Sequence, residues 1–269
     1  MKVSKDIHFI SGLPRSGSTL LCNLLAQNPD IHTTPTSGCH EAMFALRNCW
    51  NEWIEHKAAK SLSADKNLQR VLAAVLYSYH DTGRPVIIDK GRGWLSLLEM
   101  AEFALGRKAK VIVPVRSMAQ IAASFEKLHR KQAATRRDTG NYFQAQTVQG
   151  RTDALLAGDA PIGLAFNRLR DAIQRGFSDR LLLVEFEHLT HRPQETMECV
   201  YDFLELESFS HDFGNVEQYT HEDDSVHGVS LHEVRPKVVP VMDDSVEILG
   251  TEIVRQLAGT EFWRKSNNK

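Results

Sequence analysis

Two short stretches hold residues whose types and spacing could grip phosphate. In FISGLPRSGSTLLCNLLAQNP, residues 9–29, an apolar run leads into Gly12, Pro14, Arg15, Ser16, Gly17, Ser18 and Thr19, and a helical pattern follows. A strand, a glycine-framed turn and a helix start would aim successive backbone N–H groups at one point, where the helix dipole also favours an anion. Gly12 and Gly17 permit the tight path, and Ser16, Ser18 and Thr19 add hydroxyl donors. Against the phosphate-loop pattern G-x-x-x-x-G-K-[ST], both glycines and Thr19 are in register, but Ser18 stands where the lysine belongs. Arg15 brings the positive charge instead. The plain alternative is a helix start capped by Ser16 or Ser18 with no ligand.

The second stretch is VIVPVRSMAQIAASFEKL, residues 111–128. Arg116 closes an apolar run and Ser124 follows on the next helical pattern, which makes a second phosphate clamp. An arginine in that place is equally often a surface residue or an ion-pair partner.

The elements that must position these residues are legible as alternation. Short Val- and Ile-rich runs at 7–11, 86–90, 110–115 and 181–186 read as strands buried on both faces. Helical patterns run over 18–28, 39–59, 65–80, 94–106, 117–131, 161–176, 193–206 and 243–259. The order predicts an α/β three-layer sandwich with a central parallel sheet, with ligands beyond the carboxyl ends of the strands. Residues 132–160 lack a clean period and read as an insertion over the site, partly helical, or as a solvated excursion.

These residues together resemble the sulfotransferase family, whose members use 3′-phosphoadenosine 5′-phosphosulfate (PAPS). GLPRSGSTLL is similar to the family's strand-loop-helix for the 5′-phosphosulfate, and Arg116 with Ser124 to its clamp on the 3′-phosphate. LLLVEFEHLTHRPQETMECVYDFLEL, 181–206, resembles the family's strand, turn, proline and helix, with Phe186, Glu187 and Leu189 at the Tyr, Glu and Leu of the turn and His188 departing from its Asp. Lys90, in VIIDKGRGW, looks like the lysine presented to the sulfuryl group. Arginine at position 15 is closer to the bacterial and tyrosylprotein-type branch. The resemblance implies a single domain over residues 1–269, PAPS as co-substrate, no metal, and Lys90 and Arg15 as catalytic groups. It also places Ser230, with Arg235, in a loop closing over the nucleotide.

The general base is the open point. Counted from Arg15, the position of the tyrosylprotein-type glutamate is Thr36, which cannot take a proton. His40 and Glu41, in the first helical turn after Ser37, are the nearest candidates, each with a structural alternative. Trp50, Trp53, Tyr77 and Tyr79 lie where the family builds acceptor sites, although Trp50 and Trp53 are spaced as core neighbours. His221, Glu222, Asp223, His227, His232 and Glu233 gather without a defined zinc or calcium spacing.

A net charge of −2 over 269 residues gives no reason to expect nucleic acid as a partner, so any anion site is local. No apolar run is long enough to span a membrane or serve as a signal peptide, and the four cysteines show no C-x-x-C pairing, so a reduced, cytoplasmic setting is expected. Three functions follow: a sulfotransferase acting on a small molecule, sugar, lipid or peptide; a P-loop nucleotide or metabolite kinase, with Asp89 as metal partner; or a relative that binds nucleotide without catalysis.

Overall fold

The computed structural model describes residues 5–58, 64–132, 146–224 and 232–265. Among them five strands form one sheet: β1 (Asp6–Ile10), β2 (Ile31–Thr36), β3 (Val86–Lys90), β4 (Val111–Val115) and β5 (Leu181–Glu185). Their order is β2-β3-β1-β4-β5, and every pairing is parallel. β3 and β4 are buried along their whole length, which explains their near-continuous apolar character.

Alternate residues of the strands feed two cores. Ile7, Phe9, Ile87, Val111 and Val113 pack on one face, against α2 (Cys39–Glu52), α4 (Ala64–Ser78), α5 (Leu98–Leu105), α6 (Met118–Gln132) and α8 (Pro161–Gln174). Ile10, Ile88, Ile112 and Val184 pack on the other, against α1 (Ser18–Leu25) and α10 (Pro193–Leu204). The result is the three-layer α/β sandwich expected from the alternation of runs.

Several elements depart from the sequence reading. β2 has no signature in the sequence, because IHTTPT is polar and carries Pro35; as the edge strand beside β3 it tolerates both, with a register shift between Thr33 and Thr36. The helix expected over 39–59 ends at Glu52, where Trp53 turns to an extended ψ of 128°, and α3 (Ile54–Ala58) follows. The pattern at 94–106 opens with a 3₁₀ turn at Trp94–Ser96 before α5. The pattern at 243–259 is two helices, α11 (Ser245–Leu249) and α12 (Thr251–Leu257), broken at Gly250 with φ 89°. Two short helices had no counterpart in the reading: α9 (Phe186–His191) and α13 (Phe262–Lys265).

The expected insertion is anchored in its second half. Residues 133–145 of it lie outside the described residues, and α7 (Val148–Leu156) docks on α6. Arg151 reaches Glu126 of α6 through two 2.9 Å hydrogen bonds, and Arg130 adds a third at 2.9 Å. Glu126 and Arg151 are both buried, so this half of the insertion is part of the packed structure and not a solvated excursion.

Candidate functional site

At the carboxyl ends of β1, β3 and β4 lies a cleft of ≈ 430 Å³. The loop after β1 builds its floor. Gly12 crosses directly over β4: a Cβ there would come within 2.3 Å of the Pro114 carbonyl oxygen, so only glycine fits. Leu13 N–H then donates to that same oxygen at 2.9 Å, which extends the β1 path past the strand. Arg15 has φ 58°, a conformation uncommon for a residue with a side chain, and Gly17 follows at φ 85°. The chain is thereby folded into the turn that starts α1 at Ser18 with no side-chain cap. The first N–H groups of α1 have no partner within the helix and open toward the cleft that Ser18, Thr19 and Leu20 line.

The two stretches singled out by sequence meet here. Arg15 Nε donates to Ser124 Oγ at 3.1 Å, and Arg116 Nη1 donates to the Arg15 carbonyl at 3.2 Å. Arg116 Nε also donates to Gln120 at 3.0 Å, and its guanidinium lies 4.2 Å over the Phe186 ring. Phe186 packs under Gly17 as well, since a Cβ on Gly17 would meet it at 2.8 Å. One aromatic ring from α9 therefore sets both the turn and the arginine. Burial lowers the pKa of Arg15, opposed by Asp224 and reinforced by Arg92. Burial likewise lowers that of Arg116, opposed by Glu187 and reinforced by Arg15. Two half-desolvated guanidiniums side by side are complementary to an anion.

Eight cationic residues line the cleft: Arg15, Lys90, Arg92, Arg116, Lys127, Lys131, Arg235 and Lys237. Glu233 is the one acidic lining residue among those described. Positive charge is thus concentrated in one place, in a chain whose net charge is −2.

Gly12, Pro14, Arg15, Gly17, Ser18, Thr19, Lys90, Arg116 and Ser124 all line this cleft. Ser16 does not; its buried hydroxyl donates to the carbonyls of Leu13, at 2.5 Å, and Pro114, at 2.9 Å, and so holds the turn together. Ser230 lies outside the described residues. Arg235 does line the cleft, and segment 232–241 forms one of its walls.

The two base candidates sit elsewhere. His40 packs against Trp94, ring centroids 5.6 Å apart, behind the turn of Gly91 and Gly93; a Cβ on Gly93 would fall 2.1 Å from its ring. Burial lowers its pKa, against the raising effect of Glu41 and Asp89. Glu41 is exposed on α2, and neither residue lines the cleft. Trp53 is 44 % and Tyr79 47 % exposed, Tyr77 packs on the core, and Trp50 stacks edge-on against His56.

Behind the cleft wall, in contact with two residues that line it, is a further carboxylate: Glu222 ion-pairs with Lys90 and lies 3.2 Å from His232. Its partner is 132 residues away, so no local signal could have found it. Asp89, by contrast, is fully buried on the other face of β3, 2.8 Å from His80 and accepting a 2.6 Å hydrogen bond from Trp94. Its carboxylate brings Cys39 and His80 into one buried group, away from the cleft.

The profile of the sulfotransferase family matches residues 8–211, which contain β2 to β5, the last three residues of β1, and both Arg15 and Arg116. The chain belongs to the sulfotransferase family. A curated member, nodulation protein NoeE of Sinorhizobium fredii (strain NBRC 101917 / NGR234), is 30 % identical over 230 residues. That match covers 79 % of this chain and 53 % of NoeE, so the chain spans about half the length of that relative. Among solved structures, the fold is similar to the sulfotransferase domain from the curacin biosynthetic pathway, with a TM-score of 0.56 and 15 % identity over 96 % of this chain and 97 % of that one. It is also similar to mouse sulfotransferase SULT7A1 complexed with PAP, with a TM-score of 0.55 and 17 % identity over 99 % and 85 %. Among the described residues of this family member, no helix is long and apolar enough to cross a membrane.

Proposed function

We propose that the chain moves a sulfuryl group from PAPS to a hydroxyl or amine acceptor and releases adenosine 3′,5′-bisphosphate (PAP). The observation that carries this reading is the joining of Arg15, Ser124 and Arg116 in one cationic cleft at the strand ends. Two phosphate-bearing positions of one nucleotide fit that arrangement: one at the N-terminus of α1, the other at Arg116 and Ser124. The PAP complex of the mouse relative supports it.

When bound, PAPS supplies the activated sulfuryl group. Arg15 and the first N–H groups of α1 hold negative charge at the turn, and Arg116 and Ser124 fix the far end of the nucleotide. Lys90, at the end of β3, faces charge that grows on the leaving oxygen, the role of a preorganised donor. No metal is needed for these roles, because cations of the chain itself surround the anion.

A kinase is less well supported. Ser18 replaces the lysine that a P-loop kinase needs, and Asp89 points away from the cleft into its contacts with His80 and Trp94. The unit is read as one domain, since Tyr219 and Thr220 return to α1 and residues 232–241 return to the cleft. The buried free thiols of Cys22 and Cys39 suit a reducing, cytoplasmic setting.

The deciding experiment incubates the protein with radiolabelled PAPS and panels of phenols, sugars, amines and peptides, with a chelator present. Label transferred to an acceptor is the expected result. Magnesium-dependent transfer from γ-labelled ATP with none from PAPS would establish the kinase. PAP binding without any transfer would leave a nucleotide-binding relative.

A further inference from the structure

The segment after α10 carries a carboxylate to the strand ends that neither phosphate clamp uses. Thr36 closes β2 and Lys90 closes β3, paired in register across the sheet. Glu222 reaches this pair through its ion pair with Lys90. Its second oxygen lies 3.2 Å from His232 Nδ1. His232 is held in turn by Asp224, 2.5 Å from the ring nitrogen and 3.1 Å from the backbone N–H. Thr36, Lys90 and His232 all line the cleft, whereas the Glu222 side chain is 8 % exposed behind them.

The placement of Glu222 is built in. Asn23 of α1, fully buried, accepts the N–H groups of Tyr219 at 2.5 Å and Thr220 at 3.0 Å, and donates to the Thr220 hydroxyl at 3.1 Å. The helix that begins at the phosphate turn thus also clamps the chain two residues before Glu222. A carboxylate so fixed beside the lysine assigned to the sulfuryl group is in the place that proton removal requires.

We propose that Glu222 is the general base of the sulfuryl transfer, a role that rests on the function proposed above. The acceptor's O–H proton passes to a Glu222 oxygen as the acceptor oxygen bonds to sulfur. The bond from sulfur to the 5′-phosphate oxygen breaks, its electron pair stays on that oxygen opposite Lys90, and Glu222 later gives the proton to water. Lys90 links the two halves. Without donor it covers Glu222, and drawn onto the leaving oxygen it uncovers the carboxylate.

The electrostatics agree with this exchange. Burial raises the Glu222 pKa, but hydrogen bonding and charge from Lys90, then Thr36 and His232, bring it below the ordinary glutamate range. Asp224 on the same segment and the Cys22 thiol of α1 are the further titratable neighbours. Moving Lys90 away removes the strongest of the lowering contacts and leaves the burial, so the carboxylate becomes more basic when the donor is in place.

The test compares wild type, Glu222→Gln and Glu222→Ala with PAPS and two phenols: p-nitrophenol, which is ionised near neutral pH, and p-cresol, which is not. Loss of a base should slow sulfation of p-cresol about 10²- to 10⁴-fold while p-nitrophenol falls much less. Added acetate should restore part of the p-cresol rate to Glu222→Ala alone. PAP affinity, read by thermal shift, should stay at the wild-type level, and PAPS affinity by calorimetry should be equal or tighter because Lys90 is released. PAP formation by slow transfer to water gives the same comparison if neither phenol is accepted. Equal slowing of both phenols without acetate rescue, unchanged hydrolysis, or lost PAP affinity would overturn the assignment. A wild type that binds PAP but transfers to nothing, water included, would instead overturn the proposed function itself.

Discussion

Arg15 Nε donates to Ser124 Oγ at 3.1 Å across 109 residues of sequence, so the turn after β1 and the middle of α6 form one structure. Arg116 adds a second tie, to the Arg15 carbonyl. Binding and transfer should therefore separate by position. Arg116→Ala is expected to raise the PAP dissociation constant roughly 10- to 100-fold, since hydrogen bonds to charged groups contribute about 1.5–3 kcal/mol. Lys90→Ala should leave PAP affinity near wild type and lower turnover by about 10²- to 10³-fold. Calorimetry with PAP and steady-state kinetics with PAPS check both, and a Lys90 variant that changed only the apparent PAPS affinity would make it a binding residue.

PAP should stabilise the protein without magnesium. At about 100 times its dissociation constant it adds roughly 2.7 kcal/mol, on the order of 5–10 °C in Tm for a chain of this size. ATP should give a much smaller shift, because it brings nothing to the Arg116 and Ser124 position. Differential scanning fluorimetry with chelator present reads the difference.

Gly17→Ala should damage the cleft by two routes. The φ of 85° strains any side chain, and the new Cβ would sit 2.8 Å from Phe186, the ring on which Arg116 stacks. A destabilisation of about 1–3 kcal/mol is expected from the strain, with PAP affinity falling alongside. Phe186→Leu in the same background should recover stability before it recovers affinity, as the clash is relieved but the stack is not rebuilt. Urea denaturation and PAP titration of both variants separate the effects.

The docking of α7 should depend on pH. Burial raises the Glu126 pKa, but hydrogen bonds from Arg151 and Arg130 bring it below its ordinary 4.5. A folded-state pKa below the unfolded one gives stability that is full above about pH 4.5–5 and is lost as pH falls through the folded value. Glu126→Gln should flatten the acid limb of the stability profile. It should also cost about 1.5–3 kcal/mol near neutrality, because the buried Arg151 loses the charge-assisted hydrogen bonds that the carboxylate accepts. Tm measured from pH 3 to 8 for both proteins tests the sign and the window.

What the sequence reveals here follows from the range of each signal. The turn after β1 is local: Gly12, Arg15 and Gly17 lie within six residues and shape it through their own backbone. β3 and β4 are visible because both their faces are buried, which favours runs rich in Val and Ile. β2 escapes notice because an edge strand is freed from that demand and can carry His32, Thr33 and Pro35. Phe186 reads as a substituted tyrosine, and only the packing shows that it supports Gly17 and Arg116 together. Glu222 reads as one acid in a cluster, since Lys90 reaches it from β3 and Asn23 of α1 fixes the chain two residues before it. His40 and Glu41 stand in the first turn of a helix as expected, yet the turn at Gly91 and Gly93 stands between His40 and the cleft.

The sheet order also governs how the chain meets the ribosome. β1 is translated before any other strand described, yet it is the central one, and its neighbours are β3 and β4 rather than β2. One edge of this apolar segment waits for β3 at residues 86–90, and the other stays unpaired until residue 111 and beyond have been added. At roughly 5–20 residues per second that is an interval of about 5–20 s. During it the nascent chain carries an open template for pairing with other chains, which is the situation that trigger-type chaperones relieve. Expression yield should therefore respond to chaperone supply and growth temperature more than to substitutions on the mature surface, because the vulnerable species exists before the fold does.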